Sequence, residues 1–452
     1  MKNILIITKL IHCIFFLLLT IDLSAQYGIM PTSPTPNRNH GSVNALPYRS
    51  IESQGPQAPN PDIFTSPEQC LLQQRQKQLQ QQQENMEKDE LFREYLEKQE
   101  AIKYLTDKGF RSYSDVDPKG TGYFHQAFDE IHAMLKGEKP LNLGRIVFII
   151  ENAFYENAMN YTDYQNFIKD KVALCNRKIA EEKLNGKDNL VKNMMLFRLI
   201  SDTLRFKNYA SELTQTHFPI RYDYDDYQSK QSYDSHFVTQ LMRRGVGQCY
   251  SMPLYYLVLA EAIGAEAYWS FSPRHSFIKI QDEKGRWYNI ELTCNAILSD
   301  AHYMNSGYIK AEAIRNRLYL EPLDKTNTAA ELLLILARYY HKKFGLDDFY
   351  LKCADTAMQY LSCKLNALIL QAGYSERLTL QLAQLLKAPK PDILKTKSPQ
   401  AYRHYEKMHD LYKQIDDLGY EPLPDEIYVK WLEYIAKQKE QTEKTNFLQI
   451  VK

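Results

Sequence analysis

A cysteine, a histidine and a glutamate stand in this chain in an order that suits thiol chemistry. Cys249 ends the run Gly245-Val246-Gly247-Gln248-Cys249, just ahead of an apolar helical pattern over 253–263. His275 opens the alternating segment Ser276-Phe277-Ile278-Lys279-Ile280. Glu291 closes Trp287-Tyr288-Asn289-Ile290-Glu291, and Leu292-Thr293 follow. The attacking species in such chemistry is a thiolate, and a free thiol titrates near about 8.5. A helix N-terminus stabilises the anion through its dipole. An imidazole holds the thiolate as an ion pair and later protonates the leaving group. An acid orients the imidazole and favours its charged form.

The elements that must position these groups are legible nearby. Arg243-Arg244-Gly245 is a helix stop, and Gly247 lets the backbone turn sharply into the next helix. Pro253 suits a first helical turn, where its missing N–H costs nothing. Backbone N–H groups around Gly247 and Gln248 are candidates for holding an oxyanion or a substrate. The spacing predicts strands over 265–271, 276–280 and 287–292, with Asp282-Glu283-Lys284-Gly285 as a hairpin turn. A turn centred on 283–284 brings 275 and 291 within side-chain reach. Asn289 shares a face with Glu291 by the two-residue period. It is the second candidate for the third member and a further candidate for substrate contact. Cys294, three residues beyond Glu291, has no such setting.

These three motifs resemble the transglutaminase-like superfamily, whose papain-like core carries Cys, His and Asp in that order. In that family the Cys follows a Gly-x-Cys turn and starts a helix. The His starts a strand, and the acid closes the next strand after a Trp-containing segment. Gly247-Gln248-Cys249, His275-Ser276-Phe277 and Trp287–Thr293 occupy those three places. Glu291 stands where Asp is usual, which keeps the charge and lengthens the reach. Ser276-Phe277 replaces the usual His-Ala-Trp type sequence. The resemblance is close around the motifs and looser across 140–325. It implies an α+β fold: a helix packed on a small antiparallel sheet, flanked by N-terminal helices and a C-terminal helical-repeat region. It also implies cleavage of an amide or peptide bond through a Cys thioester, without cofactor. The alternative is a non-catalytic scaffold of the same type whose helical repeats bind a protein partner.

Around this core the chain changes character several times. Residues 1–25 read as a secretory signal: Lys2 and Lys9 precede the 12-residue apolar run Leu10–Ile21, and Ser24-Ala25 offers a small-residue cleavage site. That run is too short to span a bilayer. The expectation is an exported protein, periplasmic or secreted, with no stable membrane insertion. Residues 26–66 are rich in Pro, Ser, Asn and Gln and read as a disordered linker. Residues 67–139 are a Gln-rich helical segment in which Leu72, Leu79 and Met86 fill one position per heptad, too thin a seam for a coiled coil. Asp115–Gln126 echoes a calcium loop but places Lys119 and Gln126 where ligands are required, so it reads as a turn. Residues 140–325 form the candidate catalytic domain, helical over 141–211 and weakly structured over 218–234. Residues 326–452 alternate helices in the manner of tetratricopeptide-like repeats. Cys spacing shows no zinc site. The net charge of +1 gives no basic face for nucleic acid.

Overall fold

The structure is a computed structural model that describes residues 67–207, 214–305 and 308–451. The expected signal and linker, 1–25 and 26–66, lie outside the described residues. The chain divides into two compact units at Ala101/Ile102. The described part of the first is residues 67–101, which belong to helix α1 (Pro67–Lys108). Leu72, Leu79 and Met86 are all exposed there, as a seam too thin to pair predicts.

The second unit is mixed α and β and mostly helical. Its helices begin where short polar side chains replace missing intrahelical partners. Asp117 caps α2 (Pro118–Leu135), accepting from Gly120 N at 2.8 Å, so the calcium-like run is a helix cap. Asn142, Asn160 and Asp188 do the same for α3 (Leu143–Phe154), α4 (Tyr161–Glu181) and α5 (Asn189–Ser201). A hairpin follows, β1 (Leu204–Lys207) with β2 (Thr214–His217). This corrects the helical reading of 141–211. Leu204 and Phe206 are buried and Arg205 is exposed, the alternation of a strand. The 218–234 stretch is also more ordered than its composition implies. It contains β3 (Arg221–Tyr222), which pairs in parallel with β4 (Val246–Gly247) across α6 (Val238–Arg244).

Next come α7 (Ser251–Ile263) and a four-stranded antiparallel sheet. Its strands are β5 (Tyr268–Ser272), β6 (His275–Gln281), β7 (Trp287–Glu291) and β8 (Ala296–Leu298), in that order. The first three match the sequence reading within a few residues, and β8 is an addition. α7 packs on β5 and β6. Two short helices, α8 (Asp300–Met304) and α9 (Ala311–Arg315), lead to α10 (Lys325–Lys343). Then follow α11 (Asp348–Ala357), α12 (Leu365–Leu385), α13 (Pro391–Lys397), α14 (Pro399–Asp417) and α15 (Asp425–Val451).

The boundaries expected at 139 and 325 do not separate compact units. Every residue from Ala329 to Ala337 is buried, Glu331 included, so this stretch of α10 is enclosed on all sides. It packs on α2 and α3 as well as on α11 and α12. One apolar cluster therefore runs from Ile102 to Leu432.

Asp347 fastens this arrangement. It is fully buried, and its carboxylate accepts from Tyr113 N (2.9 Å), the Tyr340 hydroxyl (2.5 Å), Phe349 N (3.0 Å) and Tyr350 N (3.4 Å). Asp347→Ala strands all four donors and should cost about 3 kcal/mol. Urea unfolding reads this as a lower midpoint at an unchanged slope. A loss within about 0.5 kcal/mol would show that water replaces the carboxylate.

Candidate active site

Cys249 lies two residues ahead of α7, and its partial exposure sets it apart from Cys175, Cys294 and Cys353, which are buried. Gly245, at φ 65°, ends α6 in the left-handed region that glycine tolerates. Gly247 has no room for a side chain: a Cβ there would meet Leu241 Cδ1 at 2.4 Å and Met252 Cγ at 2.9 Å. Gln248 is buried and turned away, its Nε2 donating to the Asp226 carbonyl at 2.6 Å. Ser276 on β6 donates to the Cys249 carbonyl at 2.5 Å, tying the thiol-bearing turn to the sheet.

His275 opens β6 and is buried. Its Nε2 stands 2.7 Å from Glu291 Oε2. Tyr303 on α8 donates to the same oxygen at 2.9 Å, and Thr293 N donates to Oε1 at 2.9 Å. A carboxylate can only accept, so Nε2 carries a proton. The register explains the contact. Ile278 pairs with Ile290, and continuing that ladder sets Glu291 diagonally across from His275 on the same face. The extra methylene of Glu over Asp suits that diagonal.

The electrostatics follow from burial opposed by pairing. Burial lowers the His275 pKa, but the Glu291 charge, the Glu291 hydrogen bond and the nearby Cys249 thiol outweigh it and lift it to about 10. Burial raises Glu291, and His275 together with the Thr293 N–H more than reverses that. Nδ1 of His275 makes no hydrogen bond. Cys249 is the other group acting on the ring. Burial pushes the Cys294 thiol up, and the nearby Glu291 charge adds to this. It is a poor nucleophile where it stands.

Asn289 does not join this cluster. Its Nδ2 donates to Asp300 Oδ1 at 2.8 Å, alongside the buried Lys279 ion pair at 2.7 Å. Three other residues reach the site without any local sequence signal. Tyr303 arrives from α8. Tyr428 and Trp431 arrive from α15, and Tyr428 lines the same cavity as Cys249. The Trp431 ring lies 4.6 Å from the imidazole. Arg274, at φ 59° in the turn before His275, fixes this cover. Its guanidinium meets Asp425 at 2.5 Å and lies 4.4 Å over the Tyr428 ring.

Cys249 and His275 border a cavity of about 150 Å³ that extends past Trp269 to Arg338 on α10. Among the described residues no group of His, Cys, Asp or Glu is placed to hold a metal ion, and no helix is long and apolar enough to cross a membrane. Compared with known proteins, the chain matches no family model, no curated protein and no solved structure.

The His275–Glu291 pair has a readable pH signature. The His275 pKa is raised on folding, so its share of stability is full below about 6.5 and is lost as the pH climbs towards 10. Glu291 is shifted down, so its share is present above about 4.5 and is lost as the pH falls through its lower folded value. Glu291→Gln should therefore lose most stability, relative to wild type, between about pH 4.5 and 6.5. The gap should narrow towards pH 10 in urea unfolding. A gap that stays flat would mean the charged pair is not formed.

Proposed function

We propose that the chain is a cysteine hydrolase of the transglutaminase-like type, acting on an amide or peptide bond. The observation that carries this is the buried Glu291–His275 pair at 2.7 Å with Cys249 beside it, at a helix N-terminus and on the edge of a cavity. Cys249, as thiolate, attacks the carbonyl carbon and forms a C–S bond. The His275 imidazolium gives its proton to the amine nitrogen as the C–N bond breaks. Nε2 is engaged by Glu291, so Nδ1 is the nitrogen that moves the proton. Water, deprotonated by the same nitrogen, then opens the thioester and restores the thiolate. Backbone N–H groups at the start of α7 would hold the oxyanion, with Gly247 keeping their approach clear. The Gln248 side chain is committed to Asp226 and is the weaker candidate. In this reading α7 with β5–β8 is the papain-like core, and the helices after 326 form tetratricopeptide-like pairs.

Export to the periplasm or beyond is part of the proposal, resting on residues 1–25 alone. So is a peptide or protein substrate rather than nucleic acid. A second reading is favoured by one observation: Tyr428 and Trp431 cover the thiol and the imidazole. A scaffold that has given up catalysis and binds a protein partner would tolerate that cover.

Reactivity and turnover separate the two. Cys249→Ala and His275→Ala should each abolish hydrolysis of a peptide mixture followed by mass spectrometry. Glu291→Gln should retain a residue, lowered about a hundredfold or more, because it keeps a hydrogen bond but not the charge. Cys294→Ser should be close to silent. Full activity in Cys249→Ala would overturn the assignment. An iodoacetamide pH–rate profile for Cys249 centred near about 8.5, with no hydrolysis, would favour the scaffold.

A further inference from the structure

The Arg338 end of the cavity carries several of the buried polar atoms that lack partners among the described residues. Buried polar groups normally find partners. Here four cavity-lining side chains hold buried polar atoms with none: Arg338 Nε, Trp269 Nε1, Tyr250 Oη and His236 Nε2. Trp269 and His236 are almost fully buried. Arg338 has no ion-pair partner among the described residues. A partly buried guanidinium without a counter-charge is costly, and its planar fork matches a carboxylate.

We infer that this end of the cavity receives a carboxylate of the substrate, with Arg338 as its counter-ion. That the carboxylate belongs to a substrate rests on the hydrolase reading above. The donor inventory supports the choice. Arg338 and Trp269 can only donate, so the missing partner is an acceptor. Tyr250 keeps its proton, because burial pushes its pKa well up, and it can donate as well. Among the described residues no group of His, Cys, Asp or Glu is placed to hold a metal ion there. A phosphate dianion fits less well than a carboxylate because Glu331, two turns from Arg338 on the same face of α10, also lines the space. Asn366 Nδ2 already donates to Glu331 at 3.0 Å, and Glu331 makes no ion pair with Arg338. The occupant is therefore a singly charged carboxylate, from either the C-terminus of a peptide or an acidic side chain.

The test uses the full chain carrying Cys249→Ala, so that binding is read without turnover. The probes are acetyl-Ala-Ala-Ala with a free C-terminus, the same peptide as its amide, and the amide with Glu as its middle residue. Calorimetry should show at least one carboxylate-bearing probe binding tenfold or more tighter than the neutral amide. Which one binds tells a terminal carboxylate from a side chain. Adding Arg338→Met should erase that preference while leaving the amide unchanged, and Arg338→Lys should keep part of it, since the charge stays and the fork is lost. Circular dichroism of each variant checks folding, and the Lys variant carries the test if the Met variant does not fold. Equal binding of neutral and acidic probes, a preference that survives loss of Arg338, or no binding of either acidic probe at millimolar concentration would overturn the inference. A carboxylate preference without hydrolysis in the wild type would remove the hydrolase and leave this pocket. Hydrolysis of neutral and acidic peptides alike would do the reverse.

Discussion

The Glu291 carboxylate is about 1% exposed, and such a charge must be compensated on every side. His275, the Tyr303 hydroxyl and the Thr293 N–H supply that compensation. Each comes from a different place: the start of β6, the short helix α8 and the turn just after β7. The demand of one buried charge thus fixes the strand register, the docking of α8 and the tautomer of the imidazole together. Removing any one of them leaves a buried group unsatisfied, which costs more than the contact itself contributes.

The opposite face of the imidazole is fixed by α15. Arg274 takes up a positive φ, a conformation that costs a non-glycine residue about 1 kcal/mol or more. The ion pair with Asp425 and the Tyr428 ring stabilise it there. This links the strained turn that delivers His275 to the helix that covers it. The cover over Cys249 and the turn that carries His275 are thus held by the same residues.

Much of this centre was legible in the sequence because it is built on short-range patterns. The Gly-rich turn, the capped helix and the alternating strands place Cys249 and His275 before any tertiary contact is known. The turn was read as centred on 283–284, which brings 291 within side-chain reach of 275, and the ladder sets Glu291 on the diagonal. The reading survives because a shift by an even number keeps a side chain on its face, while a shift of one would have turned Glu291 away. What stayed illegible depends on distance along the chain. Trp431 and Tyr428 come more than a hundred residues later, from a helix whose own pattern reads only as amphipathic. The hairpin at 204–217 was hidden because Leu204 extends a helical spacing by chance. The enclosure of α10 by α2 and α3 was not legible near 325, because α10 follows a loop, as a domain start would, and its packing partners lie far earlier in the chain.

Buried polar groups fall into two kinds in this fold, and the difference bears on what is structural and what is not. Asp347 and Glu151 are saturated by backbone donors. Glu151 accepts from Val238 N at 2.7 Å and Thr239 N at 2.8 Å, capping a helix distant in sequence. Asp347 joins the segment at Tyr113 to the start of α11. Groups of this kind serve stability, because nothing is left over for a ligand to take. The cavity groups are the reverse: His275 Nδ1, Trp269 Nε1 and Arg338 Nε are buried, directed and incomplete. Several of the unpartnered buried atoms line the cavity that Cys249 borders, and others, such as Tyr164 Oη and His302 Nε2, lie elsewhere in the fold. An unpartnered group in the cavity carries a cost that packing elsewhere offsets, and it leaves a donor for a ligand to meet.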